Sequence, residues 1–180
     1  MAEIKSTLEL AMERIKKISI SDEEKLEIKK KELEEKVNSL FHPYIEGRVT
    51  LNEILKEIER MDEKTASAVK ESLLSQWIDA LSLNGESERL LKGIESLKFQ
   101  SIDDIKQRFF SLLSQYQKEK EKVRQELSNQ MAEALRREGI YGSAVEPNIE
   151  VGDLLKSKLE ELSRLYGVKL EEIQKQLRVL

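Results

Sequence analysis

Few side chains in this sequence could carry chemistry, and they are poorly grouped. His42 is the only histidine and stands between Phe41 and Pro43. A cation there suits the C-terminal end of a helix. With no thiolate or nearby acidic pair it makes a poor metal site. The chain has no cysteine, which removes a thiol nucleophile, a disulfide and a thiolate metal site together. Acidic groups such as Asp22-Glu23-Glu24 and Asp103-Asp104 fall where helical patterns begin, and negative charge is favourable there for the helix's own sake. No serine sits in a nucleophile-elbow setting. Trp77 and the pair Phe109-Phe110 lie on helical stripes and read as core. The expectation is a protein that is not an enzyme, with no metal and no cofactor.

Two segments stand out. The first is KLEELSRLYGVKLEEIQKQL, residues 158–177. It reads as two short amphipathic helices joined through Gly167-Val168, with Leu162, Val168, Ile173 and Leu177 inward. That pattern is similar to the helix-turn-helix of bacterial DNA-binding regulators. Lys169, Gln174, Lys175 and Arg178 are then the side chains that meet DNA. Charge argues against it, because the second helix opens on Glu171-Glu172, which phosphates repel. From residue 153 to 180 the six basic residues are nearly balanced by five acidic ones. A plain helical hairpin is the leading expectation and a DNA-binding regulator the alternative.

The second is LRREGIYGSAVEPNIEVGD, residues 135–153, which holds three of the seven glycines and one of the two prolines. Gly139 stands where a long helix needs a left-handed C-cap, and Pro147 pushes Glu146 into extended geometry. Punctuation does not explain Ile140, Tyr141, Val145, Ile149 and Val151, since a solvated connector needs no such apolar content. The segment reads as an ordered strip folded back on the helices. The sharper possibility is a partner-binding strip centred on Ile140, Tyr141, Val145 and Ile149. The missing strand and lysine argue against a phosphate loop at Gly139-x-x-Gly142. MAEIKSTLELAMER at the start and GIYGSAVEPN together resemble a family of small bacterial all-helical proteins of unknown function. The resemblance spans most of the chain and implies no activity.

The elements that must position these residues are helices throughout. Ile4, Leu8, Ala11, Ile15 and Ile18 form a narrow stripe over residues 3–18. Ser21 with Glu24 makes a capping box for a helix that Pro43 should end. Thr50 with Glu53 opens the next. A further helix is expected from Lys64 to Leu83, stopped by Asn84-Gly85. A short one follows through Leu90, Leu91, Ile94 and Leu97. Ser101 and Asp104 start a pattern that holds to Glu138, roughly 55 Å of helix at 1.5 Å per residue. Its stripe includes Phe109, Leu112, Tyr116, Val123 and Leu127, coiled-coil-like, and outruns any shorter helix that might cover it. Self-association through those five residues is therefore expected. No period-two run of β-branched residues suggests a strand.

Composition agrees with this reading. Charged residues make up 37% of the chain and aromatics 5%, which suits helices with narrow apolar stripes. A net charge of −4 offers no basic field to nucleic acid or anionic lipid. No apolar run approaches the ~18 residues of a membrane span, and the charged start is unlike a secretory signal. The expected protein is all-α, an elongated bundle with a long coiled-coil-like helix over residues 101–138. Its parts are a bundle to residue 138, an extended connector over 139–152 and a C-terminal hairpin over 153–180. It is expected to be a cytoplasmic homo-oligomer and scaffold, possessing a protein partner and no membrane attachment.

Overall fold

The computed structural model describes residues 21–85, 87–140, 142, 147–149 and 153–180. The expected helix over residues 3–18 lies outside them. Six helices are described: α1 (Asp22–Ile45), α2 (Leu51–Glu59), α3 (Glu63–Asp79), α4 (Ser87–Lys98), α5 (Asp103–Arg137) and α6 (Asp153–Val179). There is no strand among the described residues, so the fold is all-α. The chain divides into two compact units, Met1–Leu73 and Leu74–Leu180.

In the first unit local chemistry fixes the helix starts. The Ser21 hydroxyl accepts from the Glu24 N–H at 3.1 Å, and the Glu24 carboxylate accepts from the Ser21 N–H at 2.8 Å. Thr50 and Glu53 repeat the arrangement for α2. These boxes satisfy backbone donors that have no partner inside the helix. The second box also holds the Glu53 carboxyl in the anionic form. Glu53 is lowered below its ordinary pKa first by the Thr50 backbone, and Asp62 by the Thr65 side chain.

Pro43 does not end α1, contrary to the sequence expectation. Proline lacks one N–H and so removes a single rung when it sits in the last turn. The helix stops at Ile45, and Gly47, at φ 76°, closes it. The Gly47 N–H donates to the Tyr44 carbonyl and the Arg48 N–H to the Pro43 carbonyl, the double closure of a Schellman motif. Among the described residues of this unit, Val37, Leu40, Tyr44, Ile54, Ile58, Val69 and Leu73 are buried and apolar.

In the second unit α3 ends at Asp79, four residues before the expected Leu83. The side-chain amide of Gln174 donates to the carbonyls of Ile78 at 2.9 Å and Leu81 at 3.3 Å. A capping group from a distant part of the chain replaces the Asn84-Gly85 stop. α5 begins at Asp103, with Ser101 accepting from the Asp103 N–H rather than pairing with Asp104. Lys106 ties α5 back to Glu95 of α4 at 2.5 Å. That hydrogen bond to Glu95 is the main reason the Lys106 pKa is raised.

α5 and α6 pack along one another and run antiparallel. Arg108 donates to Gln176 at 2.8 Å, while farther along α5 the Tyr116 ring lies 5.3 Å from Tyr166, ten residues earlier on α6. Ile105, Phe109, Leu112, Tyr116 and Leu127 are buried on α5, and Leu155, Tyr166, Leu170, Ile173 and Leu177 on α6. Gly139, at φ 81°, closes α5 as expected. Its N–H donates to the Arg136 carbonyl, and that of Ile140 to the Leu135 carbonyl.

The expected C-terminal hairpin is corrected: α6 is a single helix of 27 residues. Glycine inside a helix costs only about 1 kcal/mol relative to alanine. The apolar stripe runs through Gly167 without a phase change, so packing on α5 outweighs that cost. A methyl group built at Gly167 meets nothing within 4 Å. Gly167→Ala should therefore raise stability by about 0.5–1 kcal/mol, read by thermal or urea unfolding. A hairpin turn at this position would give the opposite sign.

Candidate interaction surface

Of the five residues assigned to self-association, Phe109, Leu112, Tyr116 and Leu127 are buried within the chain and Val123 is half-buried. The premise that no helix is long enough to cover the α5 stripe fails, because the two short helices expected at the C-terminus are one long one. Only beyond Leu127 does the stripe emerge, at Met131 and Ala134, both exposed.

The connector residues divide differently. Tyr141 and Val145 lie outside the described residues. Ile140 is 47% exposed, and Ile149 is half-buried.

The four side chains of the DNA-binding alternative are spread over separate tasks. Lys169 places its ammonium 4.7 Å from the centre of the Tyr166 ring. Gln174 caps α3, and Arg178 forms an ion pair with Asp79. Lys175 is exposed. Val168, expected to be buried at a turn, is 59% exposed, because without the turn it stays on the outer side of α6.

That outer side carries a pattern of its own. Residues 154, 158, 161, 165, 168, 172, 175 and 179 recur at alternating spacings of four and three, which places them in one row along a helix. The row reads Leu-Lys-Glu-Leu-Val-Glu-Lys-Val. At about 100° per residue it lies well round the helix from the stripe packed on α5. Its apolar members are widely open: Leu154 57%, Leu165 58%, Val168 59% and Val179 89% exposed. Isolated apolar side chains on a surface need no explanation, but four in register along one helix do. The clue lay in the periodicity itself, a second heptad-like phase offset from the buried one.

At the C-terminal end of this row lies an open cleft of about 880 Å³ between the start of α5 and the end of α6. Ile102, Ile105, Val179 and Leu180 supply apolar wall, with Arg108 and Lys175 among its polar members. Asp103, also on the wall, is held anionic first by its hydrogen bond from Ser101 and then by Lys106. A carboxyl stabilised as the anion is poorly suited to deliver a proton near neutral pH.

Among the described residues no group of three or more His, Asp or Glu side chains is placed to hold a metal ion. His42 is exposed and packs edge-on against Phe41, ring centres 5.2 Å apart. No described helix is long and apolar enough to cross a membrane. No family model, characterised protein or solved structure matches this chain.

Proposed function

We propose that this protein is a non-enzymatic helical interaction protein of the cytoplasm, a scaffold that self-associates through the outer row of α6. The observation that carries the reading is the exposed row Leu154, Leu165, Val168 and Val179, aligned along one face of α6 outside the stripe packed on α5. Burying such a row against a partner helix gains roughly 25 cal/mol per Å² of apolar surface, and helices with a heptad-spaced apolar seam are built to pair. Lys158, Glu161, Glu172 and Lys175, the other members of the row, give it charges of both signs, which favours a protein surface over a uniformly anionic one. Gln174 and Arg178 are engaged on α3, and the five other basic residues of α6 are matched by five acidic ones, which leaves no net positive charge to offer a phosphate backbone.

Light scattering at micromolar concentration tests this. The parent is expected to show a mass above that of the monomer, and Leu165→Glu with Val168→Glu, which sets like charges against each other, is expected to return it to the monomer with unchanged helix content. Both positions are more than half exposed, so the substitutions leave the core intact. A monomeric parent, or a double variant that still assembles, sinks the proposal.

A further inference from the structure

Resting on that self-association reading, we infer that two copies meet through α6 in an antiparallel, two-fold arrangement, with Leu165 of one copy against Val168 of the other. The ends of the row then meet as well, Leu154 against Val179. The sequence of the row carries this geometry. Read from either end it gives apolar, Lys, Glu, apolar, apolar, Glu, Lys, apolar, a palindrome centred between Leu165 and Val168. A two-fold interface requires that if residue i touches residue j, then j touches i. Every row can match itself in parallel, but only a palindrome also matches itself head to tail.

In the antiparallel register all four apolar positions face apolar positions. The charged layers are satisfied on the diagonal. Lys158 is directly opposite the second copy's Lys175, yet only one layer, about 4.5 Å along the axis, from the second copy's Glu172. Glu161 stands in the same relation to the second copy's Lys175. A lysine side chain spans that offset easily while its stem covers apolar surface. Helix dipoles decide the direction, since antiparallel neighbours place opposite partial charges side by side at each end.

The cleft gains an occupant from this register. Val179 forms part of its wall, so Leu154 of the second copy arrives at its mouth. Leu154 is more than half exposed in the single chain. An apolar cleft at one end of the row and an apolar side chain at the other are thereby brought together twice, once at each end of the dimer.

The chain has no cysteine, which makes crosslinking unambiguous. Leu154→Cys and Val179→Cys are prepared separately, one bearing a size tag, and treated with a short bis-maleimide alone and after mixing. Light scattering of the parent and each variant runs in parallel. Antiparallel pairing sets the two copies of either cysteine about 37 Å apart along the axis. Each variant alone should therefore give no covalent dimer, and the mixture should give one containing a tagged and an untagged chain. Crosslinking of each variant with itself and not in the mixture shows parallel pairing; it overturns the arrangement and leaves self-association standing. Assembled protein with no crosslink in any sample places the interface elsewhere and also overturns it. Monomeric mass throughout removes the self-association reading and this inference with it.

Discussion

Phe109→Ala is expected to lower the free energy of unfolding by about 3–5 kcal/mol, the usual cost of deleting a fully buried phenylalanine. Phe109 is 0% exposed and lies on the face of α5 that packs along α6. In a chain of this size such a loss corresponds to a fall in melting temperature on the order of 10 °C. Urea unfolding followed by circular dichroism measures it, and the shift should not depend on protein concentration. Phe110 is the internal control. It is 43% exposed and neighbours Phe109 edge-on, ring centres 5.8 Å apart, so Phe110→Ala should change stability by about 0.5 kcal/mol or less. If Phe109→Ala instead unfolds like the parent and alters only the assembled mass, Phe109 faces another copy and the described packing of α5 on α6 is wrong.

The contrast between those two neighbouring rings shows what the sequence could and could not reveal. The stripe through Ile105, Phe109, Leu112 and Tyr116 was legible because a period of 3.6 is written locally. The capping boxes at Ser21 and Thr50 were legible for the same reason, as each is closed within four residues. What covers the stripe was not legible. Gly167 looked like a break, because local propensity sees the cost of glycine and not the packing that outweighs it. Two short pieces in place of α6 leave no helix to cover α5, and from sequence the stripe then calls for a second copy. The end of α3 was hidden in another way. Its capping group, Gln174, stands 96 residues beyond Ile78, and no local pattern links them. The outer row of α6 is the middle case. Its spacing is in the sequence, but half its members are Lys and Glu, so it reads as a wetted face until burial shows which phase of the helix is already covered.

Gly93→Ala is the second large effect, and its sign separates packing from propensity. On propensity alone, alanine in the interior of α4 should stabilise by up to about 1 kcal/mol. A methyl group at Gly93, however, falls 2.6 Å from Cζ3 and 2.8 Å from Cε3 of Trp77, and 3.0 Å from Cη2. The indole is rigid and 0% exposed, so it has no open space into which to withdraw. Overpacking of this kind costs about 1–3 kcal/mol and sometimes more, enough to reverse the propensity gain. The expected result is a net loss of about 1–2 kcal/mol in urea unfolding. Trp77→Phe should remove part of the conflict, because the smaller ring vacates the space nearest the new methyl group. In a double-mutant cycle the pair Gly93→Ala with Trp77→Phe should then lose less stability than the two single changes added together, by about 1 kcal/mol. Gly167→Ala makes the same chemical change in another buried-face helix of the same unit and is expected to stabilise. Should Gly93→Ala stabilise too, the contact with Trp77 is not as drawn, and helix propensity alone governs both sites.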